Sequence, residues 1–101
     1  MSHENFFNLK ELVSTSTGLP NTISSPAHLG NLANLWHALN RIRAKFGSAV
    51  YVNSAFRTPQ VNKQVGGAKR SLHMQGRAAD IRCELLYMDE LWKIIEQYDA
   101  E

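Results

Sequence analysis

The chain has 101 residues, the usual length of one domain with a single core of modest size. Hydrophobic residues make up 44% and charged residues 20%, as in ordinary globular proteins. The formal net charge of +2 is too small to predict nucleic acid or an anionic membrane as the main partner. We therefore expect one domain over residues 1–101, with neither nucleic acid nor a membrane as its partner.

The amino-terminal residues show no targeting pattern. Residues 1–10 lack the basic start and apolar run of a signal peptide, and no later stretch approaches the roughly 18 apolar residues of a membrane span. Cys83 is the only cysteine, so an internal disulfide is excluded. These features predict a chain that is cytoplasmic as synthesised.

The first half of the chain is predicted to be mainly helical. Apolar residues from Phe6 to Val13 predict a short helix, and the Ser-, Thr- and Pro-rich segment 14–26 predicts a loop. From Leu29 to Phe46 the apolar residues recur at steps of three and four, which is the clearest helix pattern in the sequence. Either of two serines before Pro26 can cap this helix, and Gly47 ends it.

The second half is predicted to alternate strands with helical segments. The predicted elements are a strand at 49–56, one or two helical turns at 59–65, a polar loop at 69–77, a strand at 78–83 and a helix at 86–98. The apolar stripe of the last helix consists of Leu91, Trp92, Ile95 and Tyr98.

These elements predict an α+β fold with a small antiparallel sheet and the long helix packed on one face. Two strands are too few for a stable independent sheet, and the sequence ends directly after a helix. We therefore expect a domain that is incomplete at its carboxyl end and lacks a carboxyl-terminal strand, or a sheet edge that a partner completes. An unpaired edge also predicts a possible homodimer.

The residues with a chemical signal lie between Ser54 and Asp80. The core of this stretch reads S-L-H-M-Q-G-R-A-A-D and begins at Ser71. His73 and Asp80 carry an imidazole and a carboxylate, which are both good zinc ligands. Gly76 permits a tight turn between them, so the loop can double back and bring the two side chains together. The same spacing also occurs by chance, and it then leaves a plain hydrogen-bonded His–carboxylate pair.

The pattern as a whole resembles the zinc D-alanyl-D-alanine carboxypeptidase family. This family includes VanY-type carboxypeptidases, VanX-type dipeptidases and phage L-alanyl-D-glutamate endolysins, and its fold is shared with the hedgehog signalling domain. Its signature is S-x-H-x-x-G-x-A-x-D, preceded by S-x-x-R. The matching residues are Ser54, Arg57, Ser71, His73, Gly76, Ala78 and Asp80. Asn62 and the pair Gly66-Gly67 also fall where one branch of the family places them.

The resemblance implies a role for each of four residues. It implies that His73 and Asp80 are two of three ligands of a Zn²⁺ cofactor. It implies that Arg57 is catalytic, because it binds the substrate carbonyl or carboxylate and stabilises the oxyanion, and that Ser71 helps to bind the substrate. The implied substrate is a peptidoglycan peptide, and a phage or prophage origin would suit a cell-wall enzyme without a signal peptide.

The family's third zinc ligand is a histidine near the carboxyl terminus, with an acidic general base just upstream. No histidine follows Asp80 in this chain. Three alternatives therefore remain: a zinc peptidase, a degenerate member that binds cell-wall peptide or a protein partner without cutting it, and a structural domain. The motif predicts that His73 and Asp80 lie within about 4 Å of each other, as one zinc ion requires, and that Arg57 points into the same cleft.

Overall fold

The computed structural model describes residues 6–100, with side chains through Glu96. Over this range the fold is α+β, with four α-helices and one antiparallel sheet of two strands. The elements are α1 (Leu9–Leu12), α2 (Pro26–Phe46), β1 (Tyr51–Ser54), α3 (Pro59–Gln64), β2 (Asp80–Arg82) and α4 (Met88–Ala100), with 3₁₀ helices at Leu72–Gln75 and Leu85–Tyr87. The predicted fold class is confirmed, and no described helix has both the length and the apolar character that a membrane span needs.

Helix α2 begins and ends at the signals that the sequence contains. The Ser25 hydroxyl accepts a hydrogen bond from the backbone N–H of His28 at 3.3 Å, and Pro26 occupies the first turn. At the other end, Gly47 adopts a left-handed conformation with φ of 80° and donates to the carbonyl of Arg43. Both caps satisfy backbone groups that a helix end otherwise leaves without partners.

The core lies between α2, α1, α4 and the inner face of the sheet. Its buried apolar residues are Phe7, Leu12, Leu32, Leu39, Ile42, Val50, Ala55, Phe56 and Leu91. Val52 of β1 and Ile81 of β2 are paired across the sheet and pack against this cluster. Burying one such aliphatic side chain contributes about 1.5–3 kcal/mol, so the long helix and the sheet stabilise each other.

The first helix is shorter than predicted, because the residues at its predicted start form hydrogen bonds with a residue far away in the sequence. The backbone N–H groups of Phe6 and Phe7 donate to the side-chain oxygen of Asn40, at 2.7 and 3.2 Å. Helix α1 begins only after Asn8, whose side chain and Glu11 form a reciprocal capping box. The prediction that the helix includes the phenylalanine pair was therefore wrong.

Two further predictions need correction. The segment predicted as a polar loop contains the 3₁₀ helix Leu72–Gln75. In α4, Leu91 is buried as predicted, but Trp92 is 61% exposed and does not belong to the core stripe. The side chain of Tyr98, also predicted in that stripe, lies outside the described side chains.

The sheet contains one irregularity beside the predicted site. Val52 pairs with Ile81, but the next pair is Ser54 with Asp80, so Asn53 is an extra residue in β1. Residues that pair across an antiparallel ladder share a face. With regular pairing Ser54 would point towards α2, together with Val52. The bulge instead places Ser54 on the outer face beside Asp80, and bulges of this kind are common next to active sites.

Candidate metal centre

His73 lies on a short turn that is fixed against α2. The Ser71 hydroxyl accepts a hydrogen bond from the backbone N–H of His73 at 3.2 Å and caps the 3₁₀ helix. The turn ends at Gly76, whose φ of 74° favours glycine. A Cβ at Gly76 would lie 2.8 Å from the backbone oxygen of His28, so the loop approaches α2 as closely as a glycine allows. The chain therefore doubles back here, as the motif predicted.

The hydrogen bonding of His73 leaves one ring nitrogen facing Asp80. Its Nδ1 lies 2.7 Å from the carbonyl oxygen of Ala55. Because a carbonyl oxygen can only accept, Nδ1 carries the proton, and the neutral ring then has its lone pair on Nε2. A backbone carbonyl that fixes the tautomer in this way is the usual support of a metal-binding histidine.

The His73–Asp80 pair has the separation that two zinc ligands require. Nε2 of His73 lies 3.5 Å from Oδ2 of Asp80. Two donors bound to one zinc ion at about 2.1 Å and a tetrahedral angle lie about 3.4 Å apart. When Nε2 is unprotonated both atoms are acceptors, so a cation between them would be attracted to both. The geometry fits zinc, while the role of the two residues as ligands stays a prediction.

Arg57 reaches the same carboxylate oxygen from the other side. Its Nη2 lies 3.2 Å from Oδ2 of Asp80, and its side chain is only 13% exposed. Two neutral groups orient the guanidinium: Nε donates to the hydroxyl of Ser54 at 3.0 Å, and Nη1 donates to the side-chain oxygen of Asn62 at 3.3 Å. Because the Ser54 hydroxyl and the Asn62 amide carry no charge, they orient the guanidinium without neutralising its charge.

The contact between Asn62 and Gly67 explains why both residues occur in the motif. Asn62 is buried, and its Nδ2 donates to the carbonyl oxygen of Ala68 at 2.8 Å, which orients the oxygen of the same amide towards Arg57. A Cβ at Gly67 would overlap that amide oxygen. Gly67 therefore leaves the space in which Asn62 orients the arginine.

The structure brings three of the four predicted site residues together. Arg57, His73 and Asp80 meet within hydrogen-bonding or ion-pair distance on the outer face of the sheet. The hydroxyl of Ser71 caps the turn that carries His73, and its predicted contact with substrate stays a prediction. Sequence analysis missed the carbonyl of Ala55, because a backbone acceptor leaves no mark on residue type.

The part of the chain that the structure describes supplies two candidate ligands. No group of three or more His, Cys, Asp or Glu side chains that could hold a metal occurs among the described residues. A catalytic zinc site has three protein ligands and one position for water or substrate. Among the described residues, His73 and Asp80 therefore supply two of the three ligands that such a site would need, and their role as ligands stays a prediction.

The comparison with known families agrees with the motif. A family model described as Peptidase M15 matches residues 5–100, which include the site and nearly the whole chain. No curated protein and no solved structure matches the chain. The predicted resemblance is thus confirmed over the full domain and not only over the motif. The chain belongs to the Peptidase M15 family and is a metallopeptidase by family.

Proposed function

We propose that this protein is a zinc-dependent peptidase of the D-alanyl-D-alanine carboxypeptidase type, acting on peptidoglycan peptides. The observation that carries the proposal is the 3.5 Å separation between His73 Nε2 and Asp80 Oδ2, with the histidine tautomer fixed by the carbonyl of Ala55. A metal ligand requires a lone pair on Nε2 that faces the ion, and the hydrogen bond from Nδ1 to the carbonyl of Ala55 leaves Nε2 free to supply it.

His73 Nε2 and Asp80 Oδ2 are the atoms that would hold the zinc ion. Bound there, zinc supplies a Lewis acid for the peptide carbonyl and lowers the pKa of a coordinated water. The two residues lie on different supports, because the loop packed on α2 holds His73 and the sheet holds Asp80. Their relative position therefore depends on the contact between that loop and β1.

Arg57 is the residue that would bind the reacting part of the peptide. Its planar fork suits a carboxylate or the oxygen of a peptide carbonyl. Ser54 and Asn62 fix the fork before substrate arrives, so little reorganisation is needed when negative charge develops on the carbonyl oxygen. The hydrogen bond from Nη2 to Asp80 supports this role, because it brings the guanidinium beside the candidate metal centre.

Zinc binding and D-alanine release from a stem pentapeptide test the proposal together. We expect His73→Ala and Asp80→Asn each to lower zinc affinity by about tenfold or more, since each removes one ligand. His37→Ala, which removes a histidine of α2, is the matched control and should bind zinc as the parent chain does. Equal zinc affinity in all four proteins, measured by calorimetry, would contradict the proposal.

The second candidate is a non-catalytic member that binds cell-wall peptide or a protein partner. The finding that favours it is the count of two candidate ligands among the described residues. A general base contributes about 10²–10⁴-fold to a rate, and the motif assigns none. Binding of the pentapeptide with no D-alanine release at saturating zinc would support this candidate over the peptidase.

A further inference from the structure

A second arginine lies on the same sheet face as the candidate metal centre. Arg82 of β2 pairs with Tyr51 of β1, and its guanidinium carbon lies 4.7 Å from the centroid of the tyrosine ring. Its Nε donates to the side-chain oxygen of Asn53 at 2.8 Å. The bulge residue and the ring therefore hold Arg82 in one orientation, although both Arg82 and Tyr51 are exposed.

The hydrogen-bond and ring contacts of Arg82 involve no opposite charge. Its two partners, the amide of Asn53 and the ring of Tyr51, are both neutral. Among the described residues no carboxylate lies within ion-pair distance of it, and its two terminal nitrogens make no hydrogen bond. Ordering a long side chain costs conformational entropy. An ordered, exposed guanidinium without a carboxylate partner is suited to bind an anion in the bidentate geometry that arginine and carboxylates prefer.

The distance along β2 relates Arg82 to the candidate metal centre. Asp80 and Arg82 are two residues apart on one strand, so they share a face and their Cα atoms lie about 6.8 Å apart. An extended peptide advances about 3.4 Å per residue. Consider a peptide that lies along this face with its cleaved bond at His73 and Asp80. The residue two positions from that bond then lies beside Arg82.

We propose that Arg82, held by Tyr51 and Asn53, binds a side-chain carboxylate on the second residue before the cleaved bond. The proposal rests on the proposed function and names its substrate more closely. In a stem pentapeptide that ends in D-alanyl-D-alanine, this residue is the diamino acid. Meso-diaminopimelate carries a free carboxylate there and lysine does not, so the chain should prefer diaminopimelate-type peptides.

Three synthetic stem pentapeptides test the proposal. They differ only in the third residue, which is meso-diaminopimelate, its side-chain amide or lysine, and calorimetry measures their binding to the full chain with added zinc. We expect the parent chain to bind the diaminopimelate peptide about tenfold more tightly than the other two, as a charge-assisted bidentate contact allows. Arg82→Gln should bind all three alike, and Arg82→Lys should keep part of the preference.

Arg41→Gln is the matched control, since it removes one charge from an exposed position of α2. It should keep the tenfold preference. The subsite is contradicted if the parent chain binds the three peptides equally, if Arg82→Gln keeps the preference, or if Arg41→Gln loses it as well. A parent chain that binds none of the peptides contradicts the proposed function itself, whereas equal binding contradicts only the subsite.

Discussion

The half of the molecule around α2 and the segment from Leu85 to α4 differ sharply in packing. Around α2, Leu12 and Leu32 are at most 1% exposed and the helix is capped at both ends. In the other segment, Leu85 and Leu86 are each 88% exposed. Leu91 of α4 is buried in the core, but an open groove of about 540 Å³ remains between α2, β2 and α4. The region around α2 is closely packed, whereas the segment from Leu85 to α4 leaves apolar side chains in contact with solvent.

The candidate metal centre lies where these two regions meet. The side chains of His73 and Arg57 belong to the packed region and are 12% and 13% exposed, while that of Asp80 is 57% exposed. Asp80 also begins the strand that borders the groove. One candidate ligand, His73, and the candidate substrate residue Arg57 are thus largely buried, and the second candidate ligand, Asp80, is open to solvent.

Leu32→Ala should have the largest effect on stability. Leu32 is 1% exposed and contacts the core beneath the turn of His73, and a buried leucine replaced by alanine typically costs about 2–5 kcal/mol. Urea unfolding followed by circular dichroism measures the change. A loss below about 1 kcal/mol would mean that the region around α2 is no better packed than the rest.

Gly76→Ala should be next in effect, with Gly66→Ala as its matched control. Both glycines have φ of 74°, but only a Cβ at Gly76 would meet backbone atoms, at 2.8 and 3.2 Å. We expect losses of about 2–4 kcal/mol for Gly76→Ala and about 1 kcal/mol for Gly66→Ala. Equal losses in urea unfolding would show that the loop of His73 does not rest on α2.

Gly67→Ala should change the site more than it changes stability. The added methyl group would overlap the side-chain oxygen of Asn62, and moving that amide releases Nη1 of Arg57. We expect a loss of about 1–3 kcal/mol, together with faster hydrogen exchange of the Arg57 Nε–H in NMR spectra. Gly30→Ala, in open space on α2, is the control and should leave that exchange rate unchanged.

Leu86→Ala should have the smallest effect and is the chemical match of Leu32→Ala. Because Leu86 is 88% exposed, removing its side chain should change the free energy of unfolding by less than about 0.5 kcal/mol. A loss comparable to that of Leu32→Ala would show that this segment is covered in solution. A concentration-dependent mass in light scattering would then identify a second copy of the chain as the cover.

The sequence predicted the features that depend on residues close together in the chain. The bounds of α2 follow from its caps and its periodicity, and the turn at Gly76 follows from the motif. The capture of two backbone N–H groups by Asn40 could not be predicted, because the partners are more than 30 residues apart. The burial of Trp92 was predicted wrongly for a related reason. Periodicity defines the apolar side of α4, but it does not define how much of that side packs against other elements.

The candidate site also combines features that the sequence predicted with features that it did not. The motif and its resemblance to a known family predicted His73, Asp80 and Arg57 as site residues, and all three meet in the fold. The support of the site was not predictable, because it consists of a backbone carbonyl at Ala55 and a close approach at Gly67. Such contacts depend on the path of the chain and not on side-chain chemistry.

The extra residue in β1 makes the candidate site sensitive to the register of one strand pair. If β1 paired with β2 without the bulge, Val52 would still pair with Ile81, but Asn53 would lie opposite Asp80. Ser54 would then turn towards α2, and Arg57 would lose the hydroxyl that holds its Nε. Transplanting the site into another two-stranded sheet would therefore require the insertion as well as the side chains. A one-residue change of register could therefore keep the core and still remove the support of Arg57.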